Sequence, residues 1–275
     1  HIPDVEKASD EKILDEGSVS KLAFDLIHKI NKITPITTVS LVCLSLLSKF
    51  ALSKRGVESS VANLMSLIES HKADALVDRG QSIGKSVQEA LNMLTENGIL
   101  LRHGDSLHTK YIVNREKYMQ AIYYANMSVH HFYHRAFIEL ALLKVAAEPV
   151  ENRSIAFWTE IMKLRDFFKF EFFYSSKEIF TGEIEAELGN IRTDWQKHIF
   201  ETKSNITTLV KGLKILVAPV ILNNYIEAYQ VVGHGLRLWD THEPFESKEF
   251  IEQCLFLGEE MHWLGQIKRV EAVSK

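Results

Sequence analysis

The longest stretch of helical periodicity in the chain covers residues 122–147 and contains neither Gly nor Pro. At 100° per residue its large apolar side chains fill one broad arc, which is typical of a helix buried along most of its girth. The pattern predicts a narrow water-facing stripe made of Ser128, His131, Arg135 and Glu139. We therefore expect the other elements to pack around this helix.

Amphipathic helical patterns also dominate the rest of the chain, with one interruption by strand-like residues. A helix over residues 84–97 is closed by Gly98, followed by apolar residues 99–101, a polar turn at 103–106 and strand-like residues 109–113. Helix, strand, tight turn and strand in that order resemble the second half of a winged-helix module. The sequence predicts a mainly α fold, a multi-helix bundle with one small winged-helix-like β-hairpin.

The chain divides into three predicted parts. Residues 1–17 hold six acidic residues and are interpreted as an acidic linker or the remnant of flanking sequence. Residues 18–121 form a helical subdomain that contains the winged-helix-like hairpin. Residues 122–275 form a helical bundle built on the 122–147 helix.

Charge is unevenly distributed along the chain. The whole sequence carries a net charge of -4, but residues 18–57 hold six Lys or Arg against one Asp, a local charge of +5. This segment is also strongly apolar, so it is either an ordinary solvated face or a surface that meets a membrane or partner. The cations of that face are Lys29, Lys32, Lys49, Lys54 and Arg55.

Two cysteines, Cys43 and Cys254, lie inside apolar helical patterns, which indicates buried thiols and a reducing compartment. The longest charge-free apolar runs are shorter than the ~18 to 20 residues that a membrane-spanning helix needs.

Polar residues stand inside the apolar arc of the 122–147 helix. Asn126 and His130 are spaced i and i+4, and His134 follows one turn later. They are either core groups hydrogen-bonded to a neighbouring helix, part of a site, or metal ligands. A metal is disfavoured because the zincin Glu and a third ligand are missing. We predict neither a metal nor a cofactor.

Four segments carry a family resemblance. The first is Ile-Asn-Lys-Ile-Thr-Pro-Ile-Thr at 30–37 with the apolar run 41–47, and the second is Tyr-Ala-Asn through His-His-Phe at 124–132. The third contains Leu-Arg-Asp and Lys-x-Glu-Phe within 164–173. The fourth is Tyr-Ile-Glu-Ala-Tyr at 225–229 with the run 265–274. In this order and spacing they resemble the C-terminal half of the membrane-associated bacterial glycerol-3-phosphate acyltransferases, a family with mitochondrial and peroxisomal relatives. Ala125 stands where that family commonly has Arg.

The resemblance selects a set of polar residues as a structural cluster or site: Asn126, His130, Arg165, Glu171, Glu227 and Tyr229. Within it we expect Asn126 and His130 to face the segment 225–229, where Glu227 offers an acceptor to His130. Replacing His130 would then leave a buried partner unsatisfied.

The family's catalytic motif is missing from this chain. These enzymes use His-x-x-x-x-Asp, in which His takes the proton of the attacking hydroxyl and Asp orients the imidazole. None of the 12 His residues is followed by Asp five positions later. The resemblance therefore implies that the catalytic domain lies upstream and that this part alone is inactive. It further implies three partners, namely the upstream acyltransferase domain, acyl-CoA or acyl-carrier protein through the parent, and the cytoplasmic face of the membrane as a peripheral contact.

Two other classes remain open at this stage. One is a stand-alone helical regulator or ligand-binding protein whose winged-helix-like module binds DNA or a fatty ligand, and the other is an interaction scaffold without an enzymatic parent. The predicted recognition helix 84–97 carries Lys85 against Glu89 and Glu96, which disfavours contact with phosphates. We therefore predict no nucleic-acid partner.

Overall fold

The computed structural model describes residues 16–49, 51–70, 82–105, 108–201, 216–239 and 245–273, together with the single residues 206, 210 and 213. Helices dominate these residues, and one small three-stranded antiparallel sheet accompanies them. The predicted mainly α fold is confirmed. Of the predicted linker 1–17, residues 1–15 lie outside the described residues, and the last two begin the first helix.

The elements follow one another in a simple order. The helices are α1 (Glu16–Ile33), α2 (Thr38–Ser48), α3 (Lys54–Ser70), α4 (Ile83–Glu96), α5 (Tyr118–Val129), α6 (Tyr133–Val145), α7 (Val150–Phe167), α8 (Lys177–Ile191), α9 (Ala218–Ile221), α10 (Asn223–Leu238) and α11 (Ser247–Trp263). The strands are β1 (Leu52–Ser53), β2 (Leu100–His103) and β3 (Lys110–Val113). Short helical turns lie at Arg115–Lys117, Lys197–Glu201 and Val270–Val273.

Helix α2 is the central helix of the first half of the chain. Its side chains from Ser40 to Leu46 are all buried, and it packs against α3, α4, α5 and α9. The Thr37 hydroxyl accepts the Ser40 N–H and so caps the first turn. Inside the helix, the Ser45 hydroxyl donates to the Leu41 carbonyl at 2.8 Å, which satisfies a buried polar group. The core is therefore organised around α2 as well as around the 122–147 segment.

The segment from α2 to β3 has the element order and sheet topology of a winged-helix module. Strand β3 lies between β1 and β2, and all pairs are antiparallel. Gly98 has a φ of 71°, and the Ile99 N–H donates to the Leu94 carbonyl, so the predicted glycine cap of α4 is confirmed. The predicted hairpin is also confirmed, although Ser106 in its turn lies outside the described residues. Strand β1 was not predicted from the sequence, because two residues are too short to show a strand pattern.

The predicted unbroken helix at 122–147 is wrong. It is interrupted by a turn at residues 130–132, where the His131 N–H donates to the Ser128 carbonyl and the Phe132 N–H to the Val129 carbonyl. These bonds span three residues and tighten the chain between α5 and α6.

The stripe predicted to face water is also wrong. Ser128, Arg135 and Glu139 are buried, and His131 is half-buried. Charged residues leave water only where other elements supply counter-charges and hydrogen bonds. A helical wheel contains no information about such partners.

Among the residues that the structure describes, the buried apolar side chains form two clusters. The larger extends along the described chain from Ile36 to Leu222 and includes Cys43. The smaller lies between α10, α11 and the C-terminal segment and consists of Val231, Phe250, Cys254, Met261 and Ile267. The predicted burial of both thiols is confirmed. The predicted boundary between a helical subdomain 18–121 and a helical bundle 122–275 stays a prediction.

Within the described part of the chain, every helix falls short of the combined length and hydrophobicity that crossing a bilayer requires.

Candidate functional site

An aromatic cluster surrounds the end of α7 and the turn that follows it. Phe168 is fully buried and stacks on Phe137 of α6 with ring centroids 5.7 Å apart. Within the Phe-rich sequence 167–173, Phe168 and Phe172 belong to the core, whereas Phe167 and Phe170 are exposed. The buried rings join α6, α7, α8 and α10. The rings in contact are Tyr133, Phe137, Phe168, Phe172, Tyr174, Phe180, Tyr225 and Tyr229.

Glu171 and Tyr229 meet at the edge of this aromatic cluster. The Tyr229 hydroxyl donates to Glu171 Oε1 at 2.7 Å, and its ring contacts Phe167 at 4.8 Å. Burial, together with the Glu171 carboxylate, raises the pKa of Tyr229 to about 12. The phenol is therefore a neutral hydrogen-bond donor at physiological pH.

Arg165 holds the turn after α7 in place. Its Nη2 donates to the Ser175 carbonyl at 3.0 Å, and its guanidinium lies over the rings of Tyr174 and Phe180 at 5.2 and 5.4 Å. Such cation–π contacts stabilise a partly buried Arg, and Asp166 Oδ1 lies 3.9 Å from Arg165 Nη1. Three of the predicted site residues, Arg165, Glu171 and Tyr229, thus lie in or beside one cluster.

A second polar group in this cluster was missed by the sequence analysis. The Ser175 hydroxyl donates to Glu183 Oε2 at 2.6 Å, and His134 Nε2 lies 3.3 Å from the same oxygen. His134 is 49 residues from Glu183 along the chain, so no spacing pattern could have indicated this group. The carboxylate stands between hydroxyl and imidazole, whereas nucleophilic catalysis needs the imidazole next to the hydroxyl. The geometry favours a structural role.

Arg135, Glu139 and Glu187 form a separate buried ion cluster. Arg135 Nε lies 3.5 Å from Glu139 Oε1, and Arg135 Nη1 lies 3.4 Å from Glu187 Oε1. The Glu139 carboxylate also accepts the N–H groups of Val217 and Ala218 at 3.0 and 2.8 Å. Burial raises the pKa of Glu139, and the two amides and Arg135 counter that effect. The ion cluster therefore connects α6 to α8 and to the start of α9.

A small pocket opens beside Glu139 and has a volume of about 90 Å³. Its walls are mostly apolar and include Leu140, Leu143, Leu216, Pro219 and Ile226. It is far smaller than the pockets of several hundred Å³ that enclose whole small molecules.

The other predicted site residues have different surroundings. Asn126 is exposed on α5, so the prediction that it faces a neighbouring helix is wrong. It lies outside the buried stripe of α5, which consists of Ala121, Ile122, Ala125, Ser128 and Val129. His130 lies in that turn with its ring 4.0 Å from the ring of His131. Glu227 Oε2 accepts the backbone N–H groups of Lys268 and Arg269 at 2.9 and 2.7 Å. The pairing of His130 with Glu227 stays a prediction.

The five cations predicted for a membrane or partner face lie on two parts of the chain. Lys29 is exposed on α1, and Lys32 belongs to the same helix, although its side chain lies outside the described residues. Lys49, Lys54 and Arg55 are exposed around β1, between α2 and α3.

Within the described ranges, no group of three or more His, Cys, Asp or Glu side chains is arranged so that it could hold a metal ion.

Comparison with known proteins agrees with the family resemblance found in the sequence. A family model described as glycerol-3-phosphate acyltransferase C-terminal region matches residues 1–275. Over 260 residues the chain is 25% identical to a protein named putative acyltransferase plsB1 in Mycobacterium bovis and in two strains of Mycobacterium tuberculosis. These alignments cover 93% of this chain but 42% of each relative, so the chain spans less than half the length of the curated relatives it matches.

Proposed function

The chain belongs to the family of glycerol-3-phosphate acyltransferase C-terminal regions, and we propose that it is the C-terminal helical part of a longer acyltransferase. The parent enzyme transfers an acyl group from acyl-CoA or an acyl-carrier protein to glycerol-3-phosphate, which is the first step of phospholipid synthesis. The observation that carries this proposal is the family match over all 275 residues. The curated relatives, more than twice as long, support the presence of a further domain in the parent.

Catalysis belongs to the upstream domain in this proposal. The sequence has no His-x-x-x-x-Asp motif, and the Ser175 hydroxyl is bonded to a carboxylate instead of an imidazole. Both observations agree with a supporting role for this region. No cofactor is required, because acyl transfer from a thioester needs only a base, an orienting acid and oxyanion stabilisation.

Helix α1 is the proposed contact with the upstream domain. Its apolar side chains Leu22, Leu26 and Ile30 are 62%, 56% and 47% exposed and lie on one face of the helix. On another side, the ring of Phe24 contacts Phe173 at 5.2 Å, which ties α1 to the turn that holds Glu171. A continuous exposed apolar stripe of this kind marks an interaction surface. Helix α2, the other apolar helix of the basic segment, is buried and does not contribute to that surface.

A peripheral contact with the cytoplasmic face of the membrane is the second part of the proposal. Lys29, Lys32, Lys49, Lys54 and Arg55 would favour anionic head groups by roughly 1 kcal/mol per cation near the surface. Flotation of the parent with anionic and neutral vesicles tests this contact. If Ala at all five positions leaves binding to both vesicle types unchanged, the electrostatic contribution is absent.

The assignment of catalysis is tested by thioester consumption in the presence of glycerol-3-phosphate. We expect turnover by the longer parent and none by the isolated 275 residues. Turnover by the isolated chain above a heat-inactivated control would overturn the assignment of catalysis to the upstream domain.

A further inference from the structure

The sheet of the winged-helix module presents one face to the core and the other to solvent. Tyr111 of β3 is buried and lies opposite Leu52 and Arg102, so these three residues share the inner side of the sheet. Arg102 remains exposed at the edge of that side, with its guanidinium 5.8 Å from the centre of the Tyr111 ring. Alternate residues point outward, because successive side chains of a strand lie on opposite faces. The outward pairs are Leu101 with Ile112 and His103 with Lys110. We call these four residues the outer sheet face.

The outer sheet face combines an apolar pair with a polar pair that contains the cation Lys110. Leu101 is 49% exposed, and its directly opposite neighbour Ile112 is partly exposed. Directly opposite residues in antiparallel strands have Cβ atoms about 5 Å apart, so the two apolar side chains form one patch. Lys110 and His103 are both exposed beside that patch.

Further cations border the face along β1. Ser53 lies directly opposite Lys110, and the next two residues are the exposed Lys54 and Arg55. Residues 49–58 and 97–117 together hold seven Lys or Arg against three Asp or Glu, a net charge of +4 in a chain of net charge -4. Two of the three carboxylates are engaged locally, since Asp105 bonds His108 and Glu58 lies 3.7 Å from Lys54.

The distribution of charge favours a protein over a nucleic acid as the occupant of this face. In winged-helix DNA complexes the recognition helix supplies the base contacts. Here that helix is α4, whose Lys85 lies 3.9 Å from Glu89 and whose net charge over Ile83–Glu96 is -1. An apolar pair beside exposed cations matches an amphipathic helix with acidic residues, whereas a phosphate backbone offers it nothing apolar.

We propose that the outer sheet face, with Arg55 and Lys54 at its border, docks an acidic helix of the protein that carries the acyl thioester. This inference rests on the proposed function, which requires a thioester donor, and it names the acidic carrier protein as the donor that this module recognises. Leu101 and Ile112 provide the apolar contact, and the surrounding cations steer and orient the acidic partner.

Direct binding tests the surface without reference to catalysis. Fluorescently labelled acyl-carrier protein is titrated with the 275-residue chain, and with the variants Arg55→Glu/Lys110→Glu and Lys85→Glu/Lys163→Glu. The second variant is the matched control, because it makes the same charge change at exposed positions of α4 and α7. Circular dichroism verifies that both variants retain their helical content.

We expect the first variant to weaken carrier binding about tenfold and to reduce its salt dependence, while the control binds like the unmodified chain. Equal weakening in both variants, or no carrier binding at micromolar protein, overturns the proposal. So does a DNA duplex that competes with the carrier and loses affinity through the same Arg55 and Lys110 changes.

Kinetics of the longer parent separate this inference from the proposed function. The Lys110→Glu variant, which leaves the five proposed membrane cations intact, should raise the KM for the carrier-borne thioester several-fold and leave the KM for the same acyl group on CoA unchanged. If both KM values stay unchanged, the docking surface is refuted while the acyltransferase function stands. If the unmodified parent transfers acyl groups from neither donor, the proposed function is wrong. The binding titration alone then tests whether the outer sheet face docks the carrier protein.

Discussion

The hydroxyl of Tyr229 donates a 2.7 Å hydrogen bond to the Glu171 carboxylate, and this bond joins α10 to the turn after α7. The two residues are 58 positions apart in the chain. Because the bond lies at the edge of the aromatic cluster, it is shielded from water on the side of Phe167 and Phe168. It connects two of the segments that carry the family resemblance.

Replacing Tyr229 with Phe removes this bond and keeps the aromatic packing. We expect the free energy of unfolding to fall by about 1 kcal/mol, because the partly buried Glu171 carboxylate loses a donor. Chemical denaturation measures the change. Tyr123→Phe is the matched control, since Tyr123 is 69% exposed. Equal effects of the two substitutions would contradict a stabilising role for the bond.

Because the tyrosines of the aromatic cluster have raised pKa values, we expect the folded chain to lose stability at high pH. Burial raises the pKa of Tyr133 and of Tyr174, and the pKa of Tyr229 rises to about 12. In the unfolded chain these phenols ionise near pH ~10. Their contribution to stability is therefore fully present below about pH 10 and is lost as the pH rises through the folded-state values.

Urea unfolding at about pH 9 and about pH 11 measures this dependence. The midpoint should fall between the two conditions for the unmodified chain. It should fall less for Tyr174→Phe, which removes one of the buried phenols. A midpoint that does not move, or one that moves equally in Tyr174→Phe, would exclude buried phenols as the cause.

Among the charged positions of α6, we expect substitution of Glu139 to lower the free energy of unfolding most. Replacing it with Leu leaves the Val217 and Ala218 amides without their recorded acceptor and removes one carboxylate from Arg135. Breaking a buried ion pair in this way costs about 3 kcal/mol. Glu139→Gln keeps an oxygen that accepts an amide, so its cost should be smaller.

Urea titration of both Glu139 variants gives the comparison, with Glu185→Leu as the control at an exposed position of α8. If Glu139→Leu is no more destabilising than Glu185→Leu, the buried ion cluster does not hold α6 to α8 and α9.

We expect Glu227 to hold the C-terminal segment 267–273 in its folded position. The Glu227 carboxylate accepts the Lys268 and Arg269 amides, and the Arg269 guanidinium donates to the Leu47 carbonyl at 2.8 Å. Glu227→Ala should therefore speed hydrogen exchange at residues 267–273 while the rest of α10 keeps its protection. Mass spectrometry of the exchanged chain measures it. Unchanged protection in the variant, as expected for Glu260→Ala at an exposed position of α11, would contradict this role.

Local features of the structure followed directly from the sequence. The glycine cap at Gly98 and the hairpin of β2 and β3 depend on residues a few positions apart, and both were predicted. The segments that carry the family resemblance are likewise readable without coordinates, and the family match confirms them. The missing His-x-x-x-x-Asp motif is a property of the sequence alone.

The buried polar groups could not be predicted in this way. Periodicity placed Arg135 and Glu139 in water, because two neighbouring charged residues on an isolated helix can only face solvent. The chain buries them with Glu187, 52 residues from Arg135, and with the amide of Val217, 78 residues from Glu139. Sequence spacing likewise placed Asn126 within the apolar arc of one long helix, but its side chain is exposed on α5.

The amino-acid sequence by itself therefore determined the helical fold, the hairpin, the family and the absence of the catalytic motif. Only the tertiary structure decided which polar residues meet, namely Glu171 with Tyr229, Ser175 with Glu183, and Arg135 with Glu139 and Glu187. The physical reason is the cost of burying charge. A carboxylate or guanidinium is stable inside a protein only where distant elements bring it a partner, and that condition is met by packing and not by local pattern.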